Sequence, residues 1–289
     1  MKQAILITTY KDFEQLIELI NEFDDTFNIY IHIDKKSEVS LNNYKKLKNI
    51  NNVKYLGNDF KVNWGGVNHL KAYLRLSDIA LSDEENSFFH LITGQDYPIK
   101  NSDHFKSILK NTKCNFLEHF KIPSERWSGG GIDRLENYNL YDTFNAKKSL
   151  KWINLIIRFQ KNINYKRPIS KSLGELHGGS TYWSLTREVL QYVLDFTHKN
   201  KKIFKSFNYT FCAEEIYFQT VIMNSPYHDK VVNDSARFID WESGKGGYPA
   251  FLDETDFKDI INSNKLFVRK IDRNRNKLFQ MLKDHNSMS

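Results

Sequence analysis

Short apolar runs alternate along this chain with stretches in which apolar residues recur every three or four positions. Residues 4–8 hold Ile5, Leu6 and Ile7 in succession, which predicts a strand buried on both faces. Phe13, Leu16, Ile17, Leu19, Ile20 and Phe23 then follow at helical spacing. Residues 29–33, 53–56 and 88–93 predict three further strands. Residues 67–81 predict a helix with Leu70, Tyr73, Leu74, Ile79 and Leu81 on its apolar side, and His104 begins another. Such βα alternation predicts an α/β fold, doubly wound around a mostly parallel sheet. Sheets of this kind bind ligands beyond the carboxyl ends of their strands. Thr8-Thr9-Tyr10, His32-Asp34-Lys35 and Gly94-Asp96 each follow a strand, so they are predicted to converge on one rim.

The second half is less regular. Residues 124–134 contain Gly129, Gly130 and Gly131 in a row and predict a loop. Residues 150–163, 187–198 and 214–223 predict helices. Residues 177–186 predict a strand entered through glycines, and residues 238–241 and 265–271 two shorter ones. No repeat and no linker divides the chain, which predicts one compact domain, more regular in its half at 1–112 than in its half at 113–289.

Composition narrows the class. Hydrophobic residues make up 40% of the 289 positions, too many for a disordered chain. Cys114 and Cys212 are too few for a disulfide scaffold or a cysteine-rich zinc site. The net charge of +7 fits nucleic acid, an anionic membrane or a phosphorylated ligand, and fits codon bias equally. No run reaches the ~20 apolar residues that span a bilayer, and no signal sequence is evident, so a cytoplasmic location is expected.

No Walker loop, dinucleotide fingerprint, zinc-protease helix or hydrolase elbow is present. Asp96 follows the fourth strand where a metal-dependent sugar-nucleotide enzyme carries two acids; Gly94 stands at the other position. A lone Asp is a poor Mg²⁺ site and reads equally as a turn former. Glu214 and Glu215 open a predicted helix, which suits a dipole cap as well as a general base. Arg269 and Lys270 adjoin in a strand, so one is predicted to face the cleft and the other to face outward.

Assembled, the segments HIDKK (32–36), VNWGGVNHLKA (62–72), HLITGQDYPI (90–99), GGSTYWSLTRE (178–188), AEEIYFQTVIMNS (213–225), ARFIDW (236–241) and LFVRKID (266–272) resemble the core-2/I-branching enzyme family. That family holds branching β-1,6-N-acetylglucosaminyltransferases and peptide O-xylosyltransferases, with many bacterial members. The blocks fall in family order over nearly the whole chain. The resemblance implies a Rossmann-like GT-A fold, a UDP-sugar co-substrate and inverting transfer with no metal or other cofactor. It implies Glu215 as base, with Glu214 as fallback, and Lys270 beside Arg269 on the donor diphosphate. A second basic residue there has no clean counterpart; Arg237 and Lys245 are the candidates. It places Asp34 at the uridine, with Thr9, Trp64 and Asp96 on the same nucleotide-binding rim. It places Trp241 against the acceptor sugar, together with an upstream acid and a later Arg whose nearest matches are Glu118 and Arg134. It makes 1–112 the nucleotide-binding half and 113–289 the acceptor-binding, catalytic half. The disulfides and membrane-anchoring stem of the animal enzymes have no counterpart. GlcNAc and Xyl are the sugars the family implies.

Residues 147–167 form the densest basic patch. Lys147, Lys148, Lys151, Arg158, Lys161, Lys166 and Arg167 face Leu150, Trp152, Ile153, Leu155, Ile156, Ile157 and Phe159 in an amphipathic pattern. It reads as a core-covering helix with a solvated side, or as an interfacial helix that holds the protein at the inner face of the cell membrane near a lipid-linked glycan acceptor. Two other classes compete with the transferase reading. A nucleic-acid-binding protein suits the charge and the aromatic content, yet no nucleic-acid motif is present and no such partner is expected. A non-catalytic sugar-nucleotide binder is disfavoured by the presence of both Glu215 and Lys270.

Overall fold

A computed structural model describes residues 2–111, 114–275 and 277–288. The boundary expected between the halves at 112 and 113 lies outside the described residues. The first half runs β1 (Lys2–Thr9), α1 (Phe13–Asn21), β2 (Phe27–Ile33), α2 (Leu41–Lys48), β3 (Val53–Gly57), α3 (Asn68–Leu81), β4 (Asn86–Thr93), β5 (Asp96–Pro98) and α4 (Ser102–Asn111). The second runs β6 (Asn115–Leu117), β7 (Phe120–Lys121), α5 (Asp133–Glu136), α6 (Ala146–Asn162), β8 (His177–Gly178), β9 (Trp183–Thr186), α7 (Arg187–Lys199), α8 (Lys201–Ser206) and α9 (Tyr217–Met223). It closes with β10 (Val231–Val232), β11 (Arg237–Ile239), α10 (Phe257–Asn262), β12 (Phe267–Arg269) and α11 (Leu278–Met288).

Seven strands form the central sheet in the order β10-β6-β9-β4-β1-β2-β3. The pairs β1–β2, β1–β4, β2–β3 and β6–β10 are parallel, and β9 runs antiparallel between β4 and β6. This is the Rossmann-like GT-A arrangement expected from the sequence. Alternation along the central strands explains why it folds so. Ala4 and Leu6 point into one core with Tyr30, Leu91 and residues of α3, α7 and α9. Ile5 and Ile7 point into the other with Ile29, Ile31, Ile92 and residues of α1 and α11. Period-two geometry thus turns a continuous apolar run into two packed layers.

Three elements depart from the sequence reading. Residues 177–186 form two strands: β8 pairs with β7, and β9 enters the main sheet. The expected turn at Asp96 is strand β5, which pairs with β12 in a separate sheet ordered β11-β12-β5. Residues 213–215 form one 3₁₀ turn, and α9 begins only at Tyr217. Cys212, at φ 48, sets that turn off from the chain before it.

Candidate active site

The three strand-end clusters meet as expected. The Asp34 amide donates to the Thr9 carbonyl, and the Gly94 amide to the Thr8 carbonyl. Asp34 Oδ1 accepts from the amides of Lys36 and Val62, so this carboxylate braces the loop that carries Trp64. Trp64 is 64% exposed and meets Tyr141 and Phe211 edge-on. Burial pushes His32 below its usual range, and its Nε2 accepts from the Phe60 amide, which suits a neutral ring.

Glu215 is the chemical centre. Its Oε2 lies 2.6 Å from Arg134 Nη1, and the Arg134 guanidinium lies flat over Trp127, 3.6 Å from the ring centroid. Trp127 fits because Gly131 and Gly178 flank it: a Cβ on either would come within 2.4 Å of the indole. The triple glycine and the HGG segment therefore make room for the platform under Arg134. Burial, and then the charge of Glu214, push Glu215 up to about 7, while Arg134 and His69 pull it down. A carboxyl poised there exchanges a proton readily at neutral pH.

Glu214 points elsewhere. It is buried, and its Oε1 is 3.1 Å from His69 Nδ1, whose Nε2 is 2.7 Å from Tyr73 Oη. A carboxylate accepts only, so His69 donates through Nδ1, and a neutral His69 takes the Tyr73 hydroxyl at Nε2. The second Glu214 oxygen has no partner. Burial holds Tyr73 well above its ordinary range, so it stays a hydroxyl. Glu214 is thus fixed by a relay from α3, and Glu215 is the carboxyl gripped by a cation. The relay was not evident from sequence, where Tyr73 reads as apolar helix surface.

Across the site, the β5–β12 pairing sets Asp96 opposite Arg269. Arg269 Nη1 is 3.2 Å from Asp96 Oδ1 and donates to Thr93 Oγ1 at 2.5 Å, and its guanidinium lies 4.9 Å from the Tyr182 ring. Burial raises the Tyr182 hydroxyl well above its ordinary range, so it stays protonated beside Arg269. Lys270 lies just past the end of β12 and meets different partners. Its Nζ sits 4.0 Å over the Phe251 ring, with the Arg275 guanidinium 3.7 Å from the same ring. Burial, then Arg269, Lys11 and Arg275, depress Lys270. Four cations thus gather here, of which Arg269 is paired with Asp96 and Arg275 with Asp272.

The remaining predicted residues separate. Arg237 is buried inside the protein, not on the rim. It donates to Ser184 Oγ and to the carbonyls of Leu91, Trp183 and Ser235, and burial lowers it to about 10. Ser184 in turn meets His90, which meets Gln3, so Arg237 joins β11 to the main sheet. Lys245 pairs with Asp253 and Asp256 within its own loop. The Trp241 and Tyr248 rings meet at a tilt of 56°, centroids 4.9 Å apart, beside that loop. Burial raises Glu118, which ion-pairs with Arg126 at 3.6 Å. Gly179 packs on the Glu118 carbonyl and donates to the Glu215 carbonyl, so Glu118 adjoins the Glu215 and Arg134 pair. Among the described residues no cluster of three or more His, Cys, Asp or Glu could hold a metal ion. An open hollow of about 450 Å³, lined by Lys2, Asp24, Asn28 and Asn52, lies at the opposite end of the sheet, away from these groups.

The chain resembles known proteins in sequence. Residues 4–261 match the model of the Core-2/I-Branching enzyme family. The chain is 26% identical over 246 residues to xylosyltransferase 1 of Mus musculus, covering 82% of this chain and 23% of that protein. It is 28% identical over 224 residues to xylosyltransferase 2 of Rattus norvegicus, covering 75% and 24%. The chain thus spans about a quarter of the length of these relatives. A solved structure of Staphylococcus aureus TarS 1–349 with UDP-GlcNAc matches at 21% identity and a TM-score of 0.30, over 44% of this chain and 37% of that one. With the family model spanning most of its length, the chain belongs to the Core-2/I-Branching enzyme family.

Proposed function

We propose that this chain is an inverting glycosyltransferase that moves a sugar, Xyl or GlcNAc, from a UDP-sugar to a hydroxyl of an acceptor glycan. The observation that carries it is Glu215: a carboxyl pushed up to about 7 and held by Arg134. The family and its xylosyltransferase relatives support the sugar class.

In this reading Glu215 takes the proton of the acceptor hydroxyl. The freed oxygen attacks C1, the bond from C1 to the phosphate oxygen breaks, and its electron pair leaves with UDP. A single displacement inverts the anomeric centre. Negative charge then grows on the diphosphate, and Lys270, Lys11 and Arg275 are the cations that offset it. Arg269 is tied to Asp96. We assign the charge neutralisation to these cations and to no metal. Trp241 and Tyr248 offer an aromatic face for an acceptor sugar.

A general base contributes about 10²–10⁴-fold. Glu215→Gln is therefore expected to bind UDP as the wild type does and to lose transfer by about that factor. Near-native turnover in this variant would overturn the assignment. EDTA is expected to leave transfer intact; loss of activity with recovery on adding Mn²⁺ would refute the metal-free reading.

A further inference from the structure

Helix α6 carries a surface that the proposed reaction does not use. After Ser149, whose φ of −132 interrupts the helix, Trp152, Leu155, Phe159 and Ile163 succeed one another at steps of three and four residues. All four are more than half exposed, at 64%, 55%, 62% and 56%. They form one stripe, because the Ile163 amide still donates to the Phe159 carbonyl. The helix is held by its other side, where Ile153 is buried and Gln160 bonds the backbone of Tyr138. The core-covering role expected of its apolar residues is thus met by Ile153, while the stripe faces solvent.

Charge around the stripe is one-sided. Residues 143–174 contain eight Lys and Arg and no Asp or Glu. The other 257 residues hold 34 Lys and Arg against 35 Asp and Glu, so the entire excess of positive charge lies in this segment. The Lys147 side chain lies outside the described residues. Lys161 and Lys166 are paired with Asp133 and Glu136, and Arg167 is buried against the carbonyls of Asn137 and Ser206. Lys148, Lys151 and Arg158 are exposed, with no ion pair among the described residues.

We infer that α6 docks the protein on an anionic phospholipid membrane. An anionic lipid surface answers both features, with acyl chains taking Trp152, Leu155, Phe159 and Ile163 and headgroups taking the cations. The helix is also linked to the site through packing: the segment leading into α6 carries the buried Tyr141, which packs on Trp64 and Phe211, and the Phe211 amide donates to the Arg134 carbonyl.

The test is flotation of the full chain with vesicles of phosphatidylcholine alone or mixed with phosphatidylglycerol. Binding is expected only to the mixed vesicles, weakening as salt rises. Lys148→Gln, Lys151→Gln and Arg158→Gln together are expected to lower affinity about 100-fold, at about 1 kcal/mol per cation. Trp152→Glu with Phe159→Glu is expected to lower it about tenfold or more by removing the inserted face. Circular dichroism confirms that both variants are folded. No flotation at low salt, or flotation that neither variant weakens, overturns the inference. So does a dimer in sedimentation that Trp152→Glu dissociates without any vesicle binding, because a second copy then covers the stripe. None of these readouts depends on transferase activity, so their failure is separate from failure of the proposed function.

Discussion

Replacing Arg134 with Met tests whether this cation sets the ionisation of Glu215. An adjacent opposite charge lowers a carboxyl pKa by roughly 1–3 units. Arg134 and Glu215 are 2.6 Å apart, with side chains 17% and 29% exposed. Solvent screening at that exposure argues for the lower end, about 1 unit or about 1.4 kcal/mol. Glu215 stands at about 7 in the wild type, so R134M is expected to titrate near ~8. Its ionised fraction at pH 7 then falls from about one half to about one tenth. Carbon-13 NMR of labelled glutamate carboxyls reads this directly, the Glu215 resonance being the one missing from Glu215→Gln. The sign for stability follows from linkage. The folded pKa lies above the ordinary 4.5, so this group's contribution is present below pH 4.5 and lost as pH rises through about 7. In R134M the loss continues to about pH 8, so its deficit against wild type is expected to grow by about 1.4 kcal/mol between about pH 6 and 9. A midpoint that stays at 7 or falls would refute the role given to Arg134.

Lys270→Met removes one of the cations proposed to meet the diphosphate and is expected to weaken UDP binding about 10–100-fold by calorimetry, the range for one charge-assisted hydrogen bond. Arg237→Met strands Ser184 Oγ and three carbonyls inside the protein. It is expected to cost about 3 kcal/mol in chemical denaturation. UDP affinity of the folded Arg237→Met fraction should be unchanged; a selective loss would return Arg237 to the diphosphate site.

The fold was legible where burial is complete. Ile5, Leu6 and Ile7 read as a strand covered on both faces because nothing polar interrupts them, and the structure splits them between two cores. Glu215 and Lys270 were singled out as candidates by their sequence blocks. Arg237 was not, because a buried arginine and a ligand-binding arginine look alike until the four acceptors around it are seen. Strand β5 was missed because three residues carry no period, and the 3₁₀ turn at Glu215 because its acids mimic a helix cap. The Glu214–His69–Tyr73 relay joins residues up to 145 positions apart, a separation that local patterns cannot report.

The placing of β9 between β4 and β6 has a consequence during synthesis. Strand β4 ends at Thr93, yet its partner begins only at Trp183. At roughly 5–20 residues per second, a ribosome takes about 5–20 s to make the chain between them. For that interval the nascent first half carries an open strand edge flanked by apolar side chains, the feature most prone to pair with another chain. Strand β6 emerges early but cannot close the gap, because it joins the sheet only through β9 and β10. The length of the segment from 94 to 182 therefore sets how long the growing protein depends on protection by the cell.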